Sequence, residues 1–201
     1  MIKAIIFDFG GVLLRTESLN GRLCWEQKLG LGYRQAEEIV FNSEMGRKAQ
    51  HGKISYAALW QWVGQHFQLS TEELAQFEAD FWAGDVLDQN LVQLIRDLKK
   101  RYKTALISNA FNDLRDTLEN TFNIANLFDV IVISSEEGVM KPKPDLYKIT
   151  LEHLGISAAE AVFIDDFAHN IEGAHALGMA GIHFTPDLDL ENELAKLGVS
   201  L

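Results

Sequence analysis

Carboxylates, a hydroxyl, an amide and a lysine recur in this chain at one kind of position, just after a short apolar run. Ala4 to Phe7 is followed by Asp8-Phe9-Gly10-Gly11-Val12-Leu13, and Thr104 to Ile107 by Ser108-Asn109. The run that starts at Val130 leads to Gly138-Val139-Met140-Lys141-Pro142, and Ala161 to Ile164 leads to Asp165-Asp166. Carboxylates that converge from separate segments repel one another unless a cation lies between them, and an all-oxygen donor set suits Mg²⁺. The glycines after Asp8 let the backbone turn sharply and bring peptide N–H groups to an anion. Lys141 would neutralise charge on that anion. A metal, a carboxylate nucleophile and a lysine around a phosphate describe phosphoryl transfer. Each residue alone has an ordinary structural use: Asp8 capping a turn, Ser108-Asn109 starting a helix, Lys141 as a solvated loop charge, Asp165-Asp166 as an N-cap pair. Their shared position at the ends of successive apolar runs is what points to chemistry.

The elements that must hold these residues are legible from the same pattern. Ala4 to Phe7, Thr104 to Ser108, Val130 to Ser134, Ala161 to Ile164 and, more weakly, Gly181 to Phe184 read as buried parallel strands, apolar on both faces. Helical spacing covers Leu91 to Tyr102, Asp113 to Phe122, Pro144 to Leu154 and Asn170 to Leu177. This alternation predicts an α/β fold, a doubly wound, Rossmann-like parallel sheet, with its chemistry at the carboxyl ends of the strands. Gly155 and Gly178 stand at expected helix ends, and Ser157 to Glu160 and Ser70 to Glu73 are capping-box patterns. The stretch 17–84 differs in kind: it is strand-poor, helical in spacing and carries all four Trp residues. It is expected to be an all-helical insertion, leaving 1–16 and 85–201 as the α/β core. Its run Tyr56, Leu59, Trp60, Trp62, Val63, Phe67 has the spacing of ordinary core packing.

Composition narrows the partners. Across 201 residues, hydrophobic residues make up 47% and charged residues 23%, as in a folded globular protein. Eighteen Lys and Arg against 29 Asp and Glu leave a net charge of −11, which repels nucleic-acid backbones at long range. Cys24 is the only cysteine, so no intramolecular disulfide or thiolate metal cage can form, and a reducing, cytoplasmic setting is expected. No apolar run approaches the length of a membrane span, and Met1-Ile2-Lys3 does not open a signal-peptide pattern, so neither membrane insertion nor secretion is expected.

Taken together and in this order, the four segments resemble the four motifs of the haloacid dehalogenase superfamily. Phe7 to Leu13 is similar to its first motif, Leu106 to Asn109 to its second, Lys141-Pro142 to its third, and Phe163 to Asp166 with Asn170 and Gly173-Ala174 to its fourth. The insertion resembles the small helical cap of the phosphatase and dehalogenase branch, and the sequence looks most like sugar-phosphate phosphatases and the phosphatase half of epoxide hydrolases. The resemblance implies that Asp8 is the nucleophile and that Asp8, the Gly10 carbonyl and Asp166 hold Mg²⁺. It further implies that Asp165 binds through water or orients a neighbour, that Ser108 and Asn109 bind phosphoryl oxygens, and that Lys141 stabilises the transferring charge. The substrate class so implied is a small phosphorylated metabolite.

One departure matters. Most phosphatases of this family carry a second Asp two residues after the nucleophile as general acid and base, and Gly10 stands there instead. The departure is compatible with slow turnover, with a substitute acid from the cap such as Glu17, Glu44 or His51, or with loss of activity. Two rival readings follow: a 2-haloacid dehalogenase, which needs no metal and leaves Asp165-Asp166 unexplained, and a non-catalytic binding protein. The remaining histidines, 66, 153, 169, 175 and 183, show no metal-ligand spacing and read as structural or exposed.

Overall fold

The computed structural model describes residues 1–200. Strand β1 (Ala4–Phe7) is followed by β2 (Leu14–Thr16) and five helices: α1 (Asn20–Leu29), α2 (Gln35–Glu37), α3 (Glu44–Gln50), α4 (Tyr56–Phe67) and α5 (Thr71–Trp82). Strand β3 (Asp85–Leu87) then returns antiparallel to β2, its Asp85 opposite Thr16. The chain continues through α6 (Gln89–Leu98), β4 (Lys103–Ser108), α7 (Leu114–Asp116), β5 (Val130–Ile133), α8 (Ser134–Glu137) and α9 (Pro144–Leu154). It ends with β6 (Ala161–Asp165), α10 (Ala168–Ala176), β7 (Ala180–His183) and α11 (Leu190–Lys196).

The main sheet has the order β5-β4-β1-β6-β7 with every neighbouring pair parallel. Because side chains alternate across a strand, Ile5, Phe7, Leu106, Val162 and Ile164 face one apolar layer that includes Leu91, Ile95 and Leu194 from α6 and α11. Ala4, Ile6, Ala105, Ile107 and Phe163 face the opposite layer with Leu146, Leu151 and Ile171 from α9 and α10. Helices on both faces leave only the strand ends open. The doubly wound α/β expectation holds, and β1, β4 and β6 lie side by side so that Asp8, Ser108 and Asp165 reach the same edge.

Helices α1 to α5 enclose an apolar cluster of their own, with Trp25, Leu59, Trp60, Val63, Phe77 and Phe81 at its centre. The aromatic run is core packing, as its spacing predicts. Arg22 anchors this layer from within: its guanidinium donates to the Phe81 carbonyl and pairs with Glu37 and Asp85, tying α1 to the start of β3. Both capping boxes form, at Ser70–Glu73 and Ser157–Glu160. Two local expectations shift. Ser134 opens α8 instead of closing β5. The helix expected at Asp113 to Phe122 is α7 widening into a π-helical turn at Thr117–Thr121. The β2–β3 pair and α11 carry no strong local pattern; β2 and β3 are each three residues long, and their paired residues lie 69 to 73 positions apart.

Candidate active site

Asp8 leaves β1 at the centre of the sheet and is buried. Its Oδ1 accepts the Phe9 N–H at 2.7 Å and lies 2.8 Å from Lys141 Nζ, while its Oδ2 accepts no hydrogen bond. After Asp8 the chain folds back on itself: Leu13 and Leu14 N–H donate to the Phe9 carbonyl, and Gly11 N–H donates to the Leu14 carbonyl. This bridge between Gly10 and Leu14 leaves the Gly10 carbonyl out of the bonding. Gly11 has φ +80°, and a Cβ there would lie 2.2 Å from Asp166 Oδ2, so glycine is required both by the turn and by the carboxylate pressed against it. At Gly10, by contrast, a Cβ would meet nothing within 4 Å.

Lys141 is reached from the loop after α8, yet its ammonium is buried under the ends of β1, β4 and β6. It pairs with Asp165 Oδ2 at 2.6 Å as well as with Asp8, and donates to the Ile107 carbonyl at 3.2 Å. Asp165 is fully engaged: Asn170 Nδ2 donates to both its oxygens at 2.9 and 3.0 Å, and Phe167 N–H donates to Oδ1 at 2.8 Å. Asp166 is the reverse case. Its Oδ1 is buried with no hydrogen-bond partner. His183 on β7, which sequence reasoning left as structural or exposed, bonds the Asp166 backbone carbonyl through Nε2 at 2.9 Å and steadies the segment, a placement set by β6–β7 pairing and invisible in spacing.

These surroundings separate the three carboxyls. Burial pushes the Asp8 carboxyl well above its ordinary range, against the pull of Lys141 and with Asp165 adding to the rise. Burial acts the same way on Asp165, but Lys141, Asn170 and the Phe167 amide outweigh it and hold that carboxyl low. Asp166 is raised by burial and by Asp165 beside it. Asp8, Asp165 and Asp166 each offer an oxygen, all within 4.8 Å of one another. With all three ionised, the carboxylates against the single Lys141 ammonium would leave −3 + 1 = −2 in a buried site, and the upward shifts of Asp8 and Asp166 express their burial and that uncompensated charge. A divalent cation held by oxygen matches that deficit, and the orphaned Asp166 Oδ1 is the kind of atom such an ion satisfies.

Ser108 closes β4 beside Asp8, buried, and its hydroxyl has no partner among the described residues. The Asn109 side chain is spent otherwise: Oδ1 accepts the Lys141 N–H at 2.8 Å and Nδ2 donates to the Lys141 carbonyl at 3.1 Å. Any contact of Asn109 with a phosphate therefore falls to its backbone. Of the cap acids, Glu44 is exposed and paired with Lys48, and Glu17 is exposed just after β2, where the chain enters the helices. His51 lies on a loop whose carbonyl comes within 4.0 Å of the Cβ position of Gly138, and its Nδ1 is bonded to the Arg47 carbonyl.

A family model for haloacid dehalogenase-like hydrolases matches residues 2–178. The chain belongs to that family. Within the haloacid dehalogenase-like hydrolases it is a phosphatase-like enzyme: it is 30% identical to the sesquiterpene phosphatase astK of Aspergillus oryzae over 200 residues, 97% of this chain and 96% of that protein. It is also 28% identical to the (S)-2-haloacid dehalogenase of Xanthobacter autotrophicus, over 90% of this chain and 74% of that one. The fold is shared with the HAD family enzyme bt-2542 of Bacteroides thetaiotaomicron, solved in complex with magnesium and inorganic phosphate. That structure superposes with a TM-score of 0.81 at 22% identity, covering 96% of this chain and 99% of the other.

Proposed function

We propose that this enzyme hydrolyses phosphate monoesters of small organic molecules through an aspartyl phosphate, with Mg²⁺ as its cofactor. The observation that carries the reading is the buried charge deficit: Asp8, Asp165 and Asp166 against Lys141 alone, with Asp166 Oδ1 unsatisfied. Asp8, the Gly10 carbonyl and Asp166 are the groups free to hold the ion, with Asp165 orienting Lys141. When bound, the ion would withdraw charge from the phosphoryl oxygens.

In the first step the Asp8 carboxylate attacks phosphorus, the bond from phosphorus to the ester oxygen breaks, and the departing oxygen takes up a proton. Water then attacks the same phosphorus, the bond to Asp8 breaks, phosphate leaves and the carboxylate is restored. Lys141, pinned by two carboxylates and the Ile107 carbonyl, holds positive charge where the phosphoryl group's negative charge must be met. Ser108 offers an unpartnered hydroxyl to a phosphoryl oxygen, and the Asn109 side chain keeps the Lys141 backbone in place. Residues 17–84 act as the cap and select the organic group. The space beside Gly10 holds no side chain, so the proton for the departing oxygen comes from water or from the cap.

The dehalogenase relative supports a second reading, in which Asp8 attacks carbon and displaces halide. That chemistry has no use for a cation, and it leaves the negative cluster uncompensated. The name of the sesquiterpene phosphatase relative supports an apolar alcohol as the leaving group alongside a sugar. The lone Cys24 supports a reducing, cytoplasmic setting. The described residues include no helix long and apolar enough to cross a membrane. The test is a panel of sugar, terpenyl and aryl phosphates assayed with Mg²⁺ and with excess chelator. Phosphate release that stops in chelator and returns with Mg²⁺ is expected. Undiminished release in chelator refutes the metal assignment, and release of halide from 2-chloropropionate without phosphatase activity refutes the reaction.

A further inference from the structure

The loop that leaves β4 touches two places at once. Asn109 closes on the backbone of Lys141 through both atoms of its amide. One residue later, the Ala110 N–H donates to Ser134 Oγ at 3.0 Å, and that hydroxyl donates to the Gln50 carbonyl at the end of α3 at 2.7 Å. This bond is buried and joins residues 84 apart, across the seam between the sheet and the inserted helices. Phe111 then leaves the sheet's own apolar layers and enters the cluster of the inserted helices. It is 4% exposed, with its ring parallel to Phe41 at 5.8 Å and at the same distance from Tyr56. Asn112 completes the set by accepting the N–H of Tyr56, the first residue of α4, at 2.7 Å. Of four consecutive residues, Asn109 grips the lysine of the site, Phe111 and Asn112 grip the helices above it, and Ala110 reaches them through Ser134.

The seam has little slack beside this loop. A Cβ at Gly52, on the turn after α3, would lie 1.9 Å from the Ser135 carbonyl, so the two backbones already meet there. Swinging the helices away would therefore pull Phe111 from its apolar socket, break the Ser134–Gln50 bond and drag the backbone on which Ser108 and Asn109 sit.

We infer that Phe111 is a positioning residue, whose docking in the helical insertion sets the Ser108–Asn109 segment and, through Asn109, the placement of Lys141. A seated cap and a formed phosphate site are thus one state of the molecule. This rests on the phosphatase reading above, because the consequence is read as turnover. The loop acts through backbone and side-chain contacts only and touches no reacting atom beyond Ser108.

The experiment is a double-mutant cycle on p-nitrophenyl phosphate with saturating Mg²⁺, comparing wild type, Phe111→Ala, Asn109→Ala and the double variant. All four Trp residues lie in the insertion, so intrinsic fluorescence verifies that it stays folded in each variant. Displacing Lys141 by a fraction of an ångström to an ångström is expected to lower kcat by about tenfold to 10²-fold in either single variant. The double variant is expected to lose no more than the worse single, because both act on one contact. Phe111→Leu, which keeps an apolar plug, should recover most of kcat. Asn112→Ala removes one hydrogen bond and no core volume, so it remains informative if Phe111→Ala does not fold, and it should lower kcat several-fold with KM little changed. A wild type active on this ester with Phe111→Ala or Asn112→Ala at wild-type kcat, or with losses that multiply in the double variant, overturns the inference alone. A wild type inactive on every phosphate ester overturns the phosphatase reading and this inference with it.

Discussion

Replacing Lys141 by Met keeps the length and most of the volume of the side chain and removes the only ammonium in the site. In the wild type that ammonium lies 2.8 Å from Asp8 and 2.6 Å from Asp165, and its side chain is 1% exposed. Without it, three carboxylates whose oxygens lie within 4.8 Å of one another face each other out of water. Removing one partner of a buried ion pair costs about 3–5 kcal/mol, and here one residue serves two pairs, so Lys141→Met should lower the unfolding free energy by at least that range at pH 7.5 in chelator. The pH dependence has a definite sign. Lys141 helps hold the Asp165 carboxyl below its ordinary value, so this stabilisation is present above the unfolded pKa and is lost as pH falls through the lower, folded one. In the variant that term is gone, and all three carboxyls are raised by burial and by each other. The variant is therefore relieved as pH falls and its carboxyls take up protons. Urea titrations followed by circular dichroism should show the gap between the two proteins narrowing from pH 7.5 to pH 5, and narrowing again at pH 7.5 when Mg²⁺ replaces chelator. Turnover should be lost throughout. A gap unaffected by both pH and Mg²⁺, or no gap at all, would refute the account of Lys141 as the counter-charge of this cluster.

Two further outcomes follow from the neighbours of Lys141. Asp8→Asn should reduce phosphatase turnover to background; because burial raises the Asp8 pKa from 3.8 to about 8, wild-type stability in chelator falls as pH rises across that interval, and the Asn variant, which escapes this loss, should melt at a higher temperature than wild type at pH 8 but not at pH 4. A lower melting temperature at pH 8, or retained turnover, contradicts it. Gly10→Asp places a carboxyl where a Cβ meets nothing within 4 Å, and should raise turnover of alkyl phosphates more than that of p-nitrophenyl phosphate, by up to the ~10² to 10⁴ of a positioned acid; equal effects on both esters would show that protonation of the leaving group is already supplied.

Much of the architecture was legible in the chain because the physics involved is local. Four of the five parallel strands are apolar on both faces and stop at polar residues, which can only be buried strands ending at an open edge. Helix ends at Gly155 and the capping boxes at Ser70 and Ser157 depend on one or two backbone bonds within a few residues. Strand ends also reveal the residues that meet, since a parallel sheet must carry the residue after each strand to the same edge. Asp8, Ser108, Asp165 and Asp166 needed nothing more than this to be grouped.

Tertiary structure decided how those residues divide the work. No spacing distinguishes Asp165 from Asp166, yet one is saturated by Lys141, Asn170 and the Phe167 amide and the other keeps a buried oxygen without a partner. That difference arises where the strand ends: Asp165 is the last residue of β6 and its carboxylate turns under the loop of Lys141, while Asp166, just beyond the strand, turns towards Gly11. Asn109 likewise reads from sequence as a phosphate group's neighbour, and only the packing of the loop from 138 to 142 against β4 brings the Lys141 backbone to its amide. Phe111 is the clearest case. Its apolar ring marks it for burial, which the chain alone determines; that it is buried among the inserted helices and not beneath its own strand depends on where residues 41 and 56 lie in space, and no short-range pattern encodes that distance.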